Sequence, residues 1–319
     1  MNFRLKNSKR TILNILINNP LVSVVMATFN GGRFLSSQLH SICNQSYSNI
    51  EIIISDDCSS DRTQEIIKEF AEKDKRIRYS LNESNIGLNK NFEKAILMAK
   101  GSFIAISDQD DIWKTSKIEE QLRLFKDEET VLTHSASLLF SELPPENYNK
   151  SINSIMMSGN NASRLLLRNS ISGHNMLFRS TLIPFIIPIP SGVYYDWWIA
   201  EVSTCVGKIA SSNRILTFHR KHDNNVTPKN KKNARQTKVE ADERFRALQV
   251  FVQIPKLPRV SKMLASKLLI EYEKLQEKRF SFRLFVLLLT NASVLFFYKK
   301  KKLPYLSYIK TAFRMSHSI

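Results

Sequence analysis

Four short apolar segments alternate with amphipathic segments in the first third of the chain. The apolar segments, residues 21–28, 50–55, 77–81 and 103–107, are mostly rich in β-branched residues, as buried strands are. The amphipathic segments between them predict helices. Because consecutive parallel strands need a crossover connection, this alternation predicts an α/β fold with a doubly wound, mostly parallel sheet.

Polar side chains follow three of these strands at the point where each strand ends. They are Thr28 and Asn30, Asp56 and Asp57, and Asp108, Asp110 and Asp111. The carboxyl ends of parallel strands meet at one edge of the sheet, so we expect these groups to converge there. Crowded carboxylates repel one another, and a hard divalent ion such as Mg²⁺ or Mn²⁺ is suited to neutralise them. The alternative is that the acids form solvated turns that cap the following helices, one of which would begin near Trp113.

A further acid, Asp196, lies among the aromatic residues Tyr194, Tyr195, Trp197 and Trp198. A carboxylate inside an aromatic cluster is partly desolvated, which raises its pKa and makes it a better proton acceptor. The aromatic faces also suit the rings of a sugar. The alternative is a helix N-cap at Asp196 with the tryptophans in the core.

The whole chain of 319 residues has a net charge of +18, and its basic residues are concentrated in the last third. Residues 1–218 contain 24 basic and 22 acidic residues, whereas residues 219–319 contain 23 basic and 7 acidic residues. This asymmetry predicts an anionic partner for the last third: phosphates, nucleic acid or an acidic membrane surface. We divide the chain into a basic lead-in (1–19), an α/β domain (20–226) and a basic helical region (227–319).

Residues 284–298 form an apolar run that is followed by four lysines, residues 299–302. A membrane span needs about 20 apolar residues, so this run is short for a transmembrane helix. We expect a basic amphipathic anchor that lies in the membrane interface. The alternative is a helix that packs on the α/β domain and exposes its lysine-rich end.

The cysteines and the first residues predict a cytosolic chain. Cys43, Cys58 and Cys205 are odd in number and form no CxxC pair, which is typical of a reducing compartment. The start of the chain is positively charged, but its apolar part is short and lacks a small-residue cleavage site for secretion.

Four motifs, in order, carry a resemblance to a known family: VSVVMATFNGGRFL, IIISDDCSSDRT, NIGLNKNFEKAI and FIAISDQDDIW. They resemble glycosyltransferase family 2, which has the GT-A fold, over roughly residues 20–225. The DQDDIW form, with Asp196-Trp197-Trp198 later, is similar to the bacterial rhamnosyltransferase-like branch. The resemblance therefore implies an inverting, metal-dependent glycosyltransferase.

The resemblance also implies roles for individual residues. Residues along the donor nucleotide would be Thr28, Asn30, Asp56, Asp57 and Asp108. Asp108 and Asp110 would hold a divalent cation, Mg²⁺ or Mn²⁺, on the donor diphosphate, and Asp196 would be the catalytic base.

Residues 215–226 resemble the closing motif of the family, with Arg220 and His222 on its Arg and His, although His219 stands where the branch has Tyr. His222 would complete the metal or diphosphate site. Residues of the acceptor or sugar pocket would be Asp111, His174, Trp197, Trp198 and Arg220. For His174, an ordinary, partly buried histidine is the alternative.

The implied reaction moves rhamnose or a hexose from dTDP-rhamnose or a UDP-hexose to a hydroxyl of a growing cell-surface polysaccharide, such as capsule or O-antigen. A lipid-linked acceptor would place the enzyme at the cytoplasmic face of the cell membrane. One alternative is a nucleotidyltransferase, for which residues 29–33 only weakly imitate a phosphate loop. The other is nucleic-acid binding by the basic third. It leaves the strand-end acids unexplained, because acids repel phosphate, so we expect no nucleic-acid partner.

Overall fold

The computed structural model describes residues 18–145, 148, 150–222, 234–299 and 304–317. Most of the basic lead-in and part of the segment that precedes the C-terminal helices lie outside the described residues. Within them, eight strands form one mixed sheet in the order β3-β2-β1-β4-β7-β6-β8-β5. The strands are β1 (Val22–Thr28), β2 (Ile50–Asp56), β3 (Ile77–Leu81), β4 (Phe103–Ser107), β5 (Ile112–Trp113), β6 (Thr130–Phe140), β7 (Met176–Arg179) and β8 (Lys208–Arg220).

Helices connect the strands and then continue beyond the sheet. In the described residues the α-helices are α1 (Leu35–Cys43), α2 (Thr63–Lys73), α3 (Leu88–Met98), α4 (Lys117–Leu122), α5 (Ile183–Ile186), α6 (Tyr195–Val206), α7 (Ala234–Phe251), α8 (Arg259–Leu275), α9 (Phe282–Thr290), α10 (Ala292–Leu295) and α11 (Pro304–Met315). The predicted α/β fold with a helical C-terminal region is confirmed.

The first four strands form the parallel half of the sheet. β1 lies at its centre and pairs in parallel with β2 on one side and β4 on the other. Val24 and Met26 of β1 pack in the core on one face, whereas Val25 and Ala27 pack in the core on the other. Because both faces of β1, β2 and β4 are covered, these strands are mainly apolar, and the polar residues Ser23 and Glu51 near their other ends are joined by a buried hydrogen bond.

The acids that follow β4 do not cap a helix near Trp113, so that alternative interpretation is wrong. Residues Ile112–Trp113 form the short strand β5, which pairs antiparallel with Phe218 and Thr217 of β8. This pairing ties the acidic turn to the last strand of the sheet.

Residues 171–178 do not form one continuous strand. A 3-10 turn, Gly173–Asn175, precedes the shorter strand β7. A Cβ atom at Gly173 would lie 2.1 Å from the Tyr195 hydroxyl, so the turn passes too close to α6 for any larger residue. The close approach brings this turn to the acidic end of β4.

The C-terminal helices pack on one face of the sheet and share its core. Ala247 and Phe251 of α7 and Leu284 and Leu288 of α9 belong to the same buried cluster as Ile104 of β4. The apolar run 284–298 is divided between α9 and α10. No helix in the described part of the chain is long and apolar enough to cross a membrane.

One acid is buried in this core away from the strand ends. Glu201 of α6 has no solvent exposure, and neither of its carboxylate oxygens has a hydrogen-bond partner among the described residues. Burial raises the pKa of Glu201 well above its usual value. The folded protein therefore holds Glu201 in its protonated form.

We expect Glu201→Gln to stabilise the protein increasingly as the pH rises. Above the ordinary pKa of glutamate the unfolded chain ionises while the folded chain retains its proton, so the wild type loses stability with rising pH. The variant cannot ionise and should gain about 1–3 kcal/mol at pH 8, with little gain near pH 4. Urea unfolding at several pH values measures this difference. A gain that is the same at every pH would contradict the assignment.

Candidate active site

The strand ends open into a cavity of about 1430 Å³. Eight residues singled out in the sequence line it, namely Thr28, Asn30, Asp57, Asp108, Asp110, Asp196, Trp197 and His222. Five others do not line it: Asp56, Asp111, His174, Trp198 and Arg220. The structure therefore separates the groups that face the cavity from those that support it.

Asp56 supports the ends of β1 and β2. It has no solvent exposure, and its carboxylate accepts hydrogen bonds from the Thr28 hydroxyl at 2.8 Å, the Ser59 hydroxyl at 2.6 Å and Gln64 Nε2 at 3.1 Å. The backbone N–H of Ser59 donates a further bond. Since these donors occupy its oxygens, Asp56 is a poor candidate for direct contact with a nucleotide.

Asp57 is also held by hydrogen bonds, but it lies at the cavity wall. Its Oδ1 accepts bonds from Asn82 Nδ2 at 3.0 Å and the Ile86 N–H at 2.8 Å, and its Oδ2 accepts a bond from the Gly87 N–H at 2.9 Å. Only one lone pair of Oδ2 is used in this way. That oxygen remains available for a donor group of a ligand in the cavity.

Gln109 joins the end of β1 to the end of β4. Its Oε1 accepts a bond from the Phe29 N–H at 2.9 Å, and its Nε2 donates to the Phe29 carbonyl at 3.0 Å. Gly31 makes room for this clamp, because a Cβ atom there would lie 2.2 Å from Gln109 Oε1. The side chain of Phe29 is 47% exposed and lines the cavity beside Asn30.

Asp108 and Asp110 are the acids of β4 that face the cavity. Asp110 Oδ2 lies 2.6 Å from His222 Nε2, and Asp108 accepts a bond from the Tyr195 hydroxyl at 3.4 Å. Burial and the charges of Asp108 and Asp111 raise the pKa of Asp110, while His222 opposes the rise. This repulsion is the electrostatic condition that a bound cation would relieve.

Asp111 is fully buried behind these two acids. Its Oδ1 lies 2.8 Å from His219 Nδ1 and accepts a bond from the Arg220 N–H at 3.1 Å. Burial alone would raise the pKa of Asp111, but His174 and His219 outweigh it and lower that pKa. The rings of His174 and His219 stack with their centroids 4.5 Å apart. His219, the departure from the family pattern, thus has a defined place beside Asp111.

His174 links the buried Asp111 to the partly exposed Asp108. Its Nδ1 lies 3.2 Å from Asp108 and 3.5 Å from Asp111. Burial disfavours the imidazolium, but the two carboxylates prevail and raise the pKa of His174. Beneath it, the buried Lys117 donates to the His174 carbonyl and to Thr217 Oγ1. Burial lowers the pKa of Lys117 well below its usual value, against the pull of the nearby acids.

Two groups of side chains fit a divalent cation in chemical type. Within the described residues, one ligand atom from each of four residues lies within 4.8 Å of the others; these are Asp108, Asp111, His174 and His219. The set predicted from the sequence, Asp108, Asp110 and His222, shares only Asp108 with this group. All three of its members line the cavity, whereas Asp111 and His174 lie behind it. Asp108, Asp110 and His222 are therefore the better candidates to bind a cation that also contacts a ligand in the cavity.

Asp196 faces the same cavity from the first turn of α6. The helix begins at Tyr195, so Asp196 is not the N-cap, which is Tyr194. Its carboxylate accepts bonds from the Trp197 N–H at 2.7 Å and from the Gly173 N–H at 3.3 Å. Burial, with a smaller contribution from the charge of Asp108, raises its pKa to about 6. The group is ionised near neutral pH and remains a useful proton acceptor.

The remaining pocket predictions fall on supporting side chains. Trp198 Nε1 donates to the Ile186 carbonyl, and Trp197 Nε1 donates to the Leu165 carbonyl, with only part of its ring on the cavity. Arg220 lies over the rings of Phe34 and Phe140 and donates to the Asp110 carbonyl. Spacing along the chain does not show which side of an element faces a cavity, so these positions could not be separated beforehand.

Two features of the site were not predicted from the sequence. Tyr195 belongs to the aromatic cluster named around Asp196, but it is buried against Phe92, with the ring centres 4.0 Å apart, and its hydroxyl reaches Asp108. The C-terminal helices supply the other, because residues of α7 and α11 line the cavity. The sequence assigns these helices to a region separate from the α/β domain, and no local signal marks them as part of a site.

Comparison with known proteins now places the chain in a family. The glycosyl transferase family 2 profile matches residues 23–184, half of the chain, and the protein belongs to this family. Its structure resembles that of Staphylococcus aureus TarS 1–349 in complex with UDP-GlcNAc, with a TM-score of 0.59 and 14% identity over 92% of this chain and 89% of that one. Mannosyltransferase PcManGT from Pyrobaculum calidifontis, in complex with GDP-Man and Mn²⁺, gives a TM-score of 0.56 at 13% identity over 97% and 88%. The fold is thus GT-A. The match to the family profile favours glycosyl transfer over nucleotidyl transfer.

Two curated relatives are similar in sequence. The Bacillus subtilis protein TuaG, named a teichuronic acid biosynthesis glycosyltransferase, is 33% identical over 39% of this chain and 49% of its own length. The Escherichia coli protein WfgD, a UDP-Glc:α-D-GlcNAc-diphosphoundecaprenol β-1,3-glucosyltransferase, is 30% identical over 58% of this chain and 70% of its own. The chain spans about half the length of the first curated relatives it matches.

We expect Gly31→Ala to destabilise the protein through Gln109. The new methyl group displaces the Gln109 side chain and breaks its two bonds to Phe29, at a cost of about 1–3 kcal/mol. In a Gln109→Ala background the clash is absent, so the same substitution should cost much less. Urea unfolding of both single variants and the double variant measures the coupling. Equal costs in both backgrounds would show that the clamp does not constrain Gly31.

Proposed function

We propose that the protein is an inverting, metal-dependent glycosyltransferase that moves a sugar from a nucleoside-diphosphate donor to an acceptor hydroxyl. One observation carries the proposal: Asp108, Asp110 and Asp196 face the same cavity of a family 2 GT-A fold. The Tyr195 hydroxyl bonds to Asp108, and Tyr195 directly precedes Asp196 in the chain. Tyr195 therefore links the two parts of the site: its side chain contacts Asp108, which suits a metal, and its backbone continues into Asp196, which suits a catalytic base.

The donor would lie along the strand ends. Thr28, Asn30 and Asp57 line that part of the cavity, and the exposed ring of Phe29 is available to the nucleobase of the donor. Asp108 and Asp110, with His222, would hold Mg²⁺ or Mn²⁺ at the diphosphate. When bound, the metal stabilises the charge of the leaving nucleoside diphosphate. The similar structures hold UDP-GlcNAc and GDP-Man, so a hexose donor is favoured over dTDP-rhamnose.

Asp196 would act on the acceptor. Its carboxylate takes the proton of the attacking hydroxyl while the new bond to the anomeric carbon forms and the bond to the diphosphate breaks on the opposite face. The two backbone N–H bonds to Asp196 hold the carboxylate in place without neutralising it. A pKa of about 6 keeps it ionised at neutral pH.

The acceptor would be a lipid-linked saccharide of a cell-surface polysaccharide. The support comes from the relatives: TuaG is named for teichuronic acid biosynthesis, and the name of WfgD specifies a diphosphoundecaprenol acceptor. We propose this class of acceptor for the present chain, but not the particular sugars that the names of TuaG and WfgD specify.

We expect Asp196→Asn to lower kcat by about two to four orders of magnitude, the usual contribution of a general base. The amide keeps the shape of the carboxylate, so donor binding and unfolding should change little. The wild type should also lose activity below about pH 6 as Asp196 is protonated. Nucleoside diphosphate release with a donor panel measures the rate, and Glu65→Gln, at an exposed acid of α2 outside the cavity, is the control. A near-normal kcat in Asp196→Asn rules out the base.

We propose further that the C-terminal helices rest on an anionic membrane surface. The rings of Phe282, Phe285 and Phe313 follow one another with centroids 6.3 Å apart, and Phe282 and Phe313 are 67% and 53% exposed. This aromatic patch lies in the region with 23 basic and 7 acidic residues, and exposed Arg283 and Lys310 are on the same helices. Exposed aromatics beside basic residues suit the interface of an acidic bilayer.

We expect the double change Phe282→Ser and Phe313→Ser to weaken sedimentation with phosphatidylglycerol vesicles by about 10-fold or more, since each buried aromatic side chain contributes about 1.5–3 kcal/mol. Raising the salt concentration should release the wild type as well. Leu97→Ser, at an exposed apolar residue of α3, is the control and should bind normally. A wild type that does not sediment with these vesicles would contradict the membrane proposal.

A further inference from the structure

The wall of the cavity that faces the strand ends is basic. Arg244 of α7, Arg314 of α11 and Arg168 line it, and Lys221 lies at its edge. Among the described residues, none of these three arginines forms an ion pair with a carboxylate. Two acids, Glu240 and Glu243, also line this wall, and the Tyr194 hydroxyl donates to Glu243 at 3.2 Å. Positive groups therefore outnumber negative ones.

Two of the arginines have hydrogen-bonding capacity left over. The Nε of Arg244 is buried and has no partner in the described part of the chain. Arg168 is exposed, and its guanidinium lies 4.5 Å from the centre of the Tyr298 ring. A buried N–H without a partner is costly, so a ligand that brings oxygen atoms to this wall would be stabilised.

The position of Asp196 indicates which substrate this wall meets. Next to Asp196 in the chain, Tyr195 contacts Asp108 at the strand ends, and Tyr194 contacts Glu243 of α7. Asp196 thus lies between the acids proposed to hold the donor and the wall that carries the arginines. A base between two substrates has the acceptor on the side away from the donor.

We propose that Arg168, Arg244 and Arg314 bind the phosphate groups of a lipid-linked acceptor. The inference rests on the proposed glycosyl transfer and adds the site that recognises the acceptor. The forked guanidinium groups match phosphate oxygens, and they need no metal to do so. Residue 313, next to Arg314, belongs to the exposed aromatic patch, so a lipid chain that leaves the cavity along α11 meets an apolar surface.

The test is the binding of farnesyl diphosphate, a short polyprenyl diphosphate, to the full chain in EDTA by calorimetry. Without metal, the diphosphate subsite at Asp108 and Asp110 is not available to the probe. We expect the wild type to bind and Arg244→Gln and Arg314→Gln each to weaken binding by about 10- to 100-fold. Arg314 is exposed, so its substitution leaves the core intact. Lys68→Gln, at an exposed residue of α2 outside the cavity, should bind as the wild type does.

The other outcomes overturn the proposal in distinct ways. Binding that requires metal, or that Lys68→Gln weakens as much as Arg314→Gln, would remove the arginine site. Equal binding of farnesol would remove the phosphate contact, and equal binding of inorganic pyrophosphate would remove the lipid. The assay contains no donor and no turnover, so failure of glycosyl transfer appears only in the Asp196→Asn kinetics, and failure of the arginine site only here.

Discussion

The crowding of three carboxylates at the end of β4 is the constraint on which the rest of the site depends. Asp108, Asp110 and Asp111 cannot all remain charged in one partly buried place unless other groups offset them. The fold supplies a different answer for each acid. Asp111 is buried against His174 and His219, Asp110 is paired with His222, and Asp108 remains partly exposed to the cavity.

This charge requirement also explains the connections of the second half of the sheet. β8 runs back to the acidic turn and pairs with β5, which brings His219 and Arg220 to Asp111. The turn at Gly173 brings His174 to the same acid, and it can approach only because residue 173 has no side chain. The last residues of β8 and the turn before β7 thus deliver the counter-charges that the end of β4 lacks.

Much of the parallel half could be predicted from the sequence, because β1, β2 and β4 are mainly apolar along their length and stop at polar residues. The division of labour among the acids could not. Asp110 and Asp111 are adjacent in the chain, yet one faces the cavity and the other is fully buried. Their difference depends on the pairing of β5 with β8, which joins residues more than 100 positions apart.

The basic C-terminal third was predicted as a separate unit because its composition differs from that of the α/β domain. Its apolar residues, such as Phe251 and Leu288, are part of the main core, in line with the alternative that residues 284–298 pack on the α/β domain, and its arginines line the cavity. Its charge therefore serves two surfaces in our account, one inside the cavity and one outside. Composition reports the excess of charge but not the surface on which it lies.

The most direct test of the account is the position of a metal ion in crystals grown with Mn²⁺ and a nucleoside diphosphate. Anomalous scattering locates manganese independently of the protein atoms. The account predicts a peak at coordinating distance from the Asp108 and Asp110 carboxylates, on the cavity side, in contact with the diphosphate. A peak enclosed by Asp111, His174 and His219 and out of contact with the diphosphate would contradict it, because the buried network would then be the metal site rather than its support.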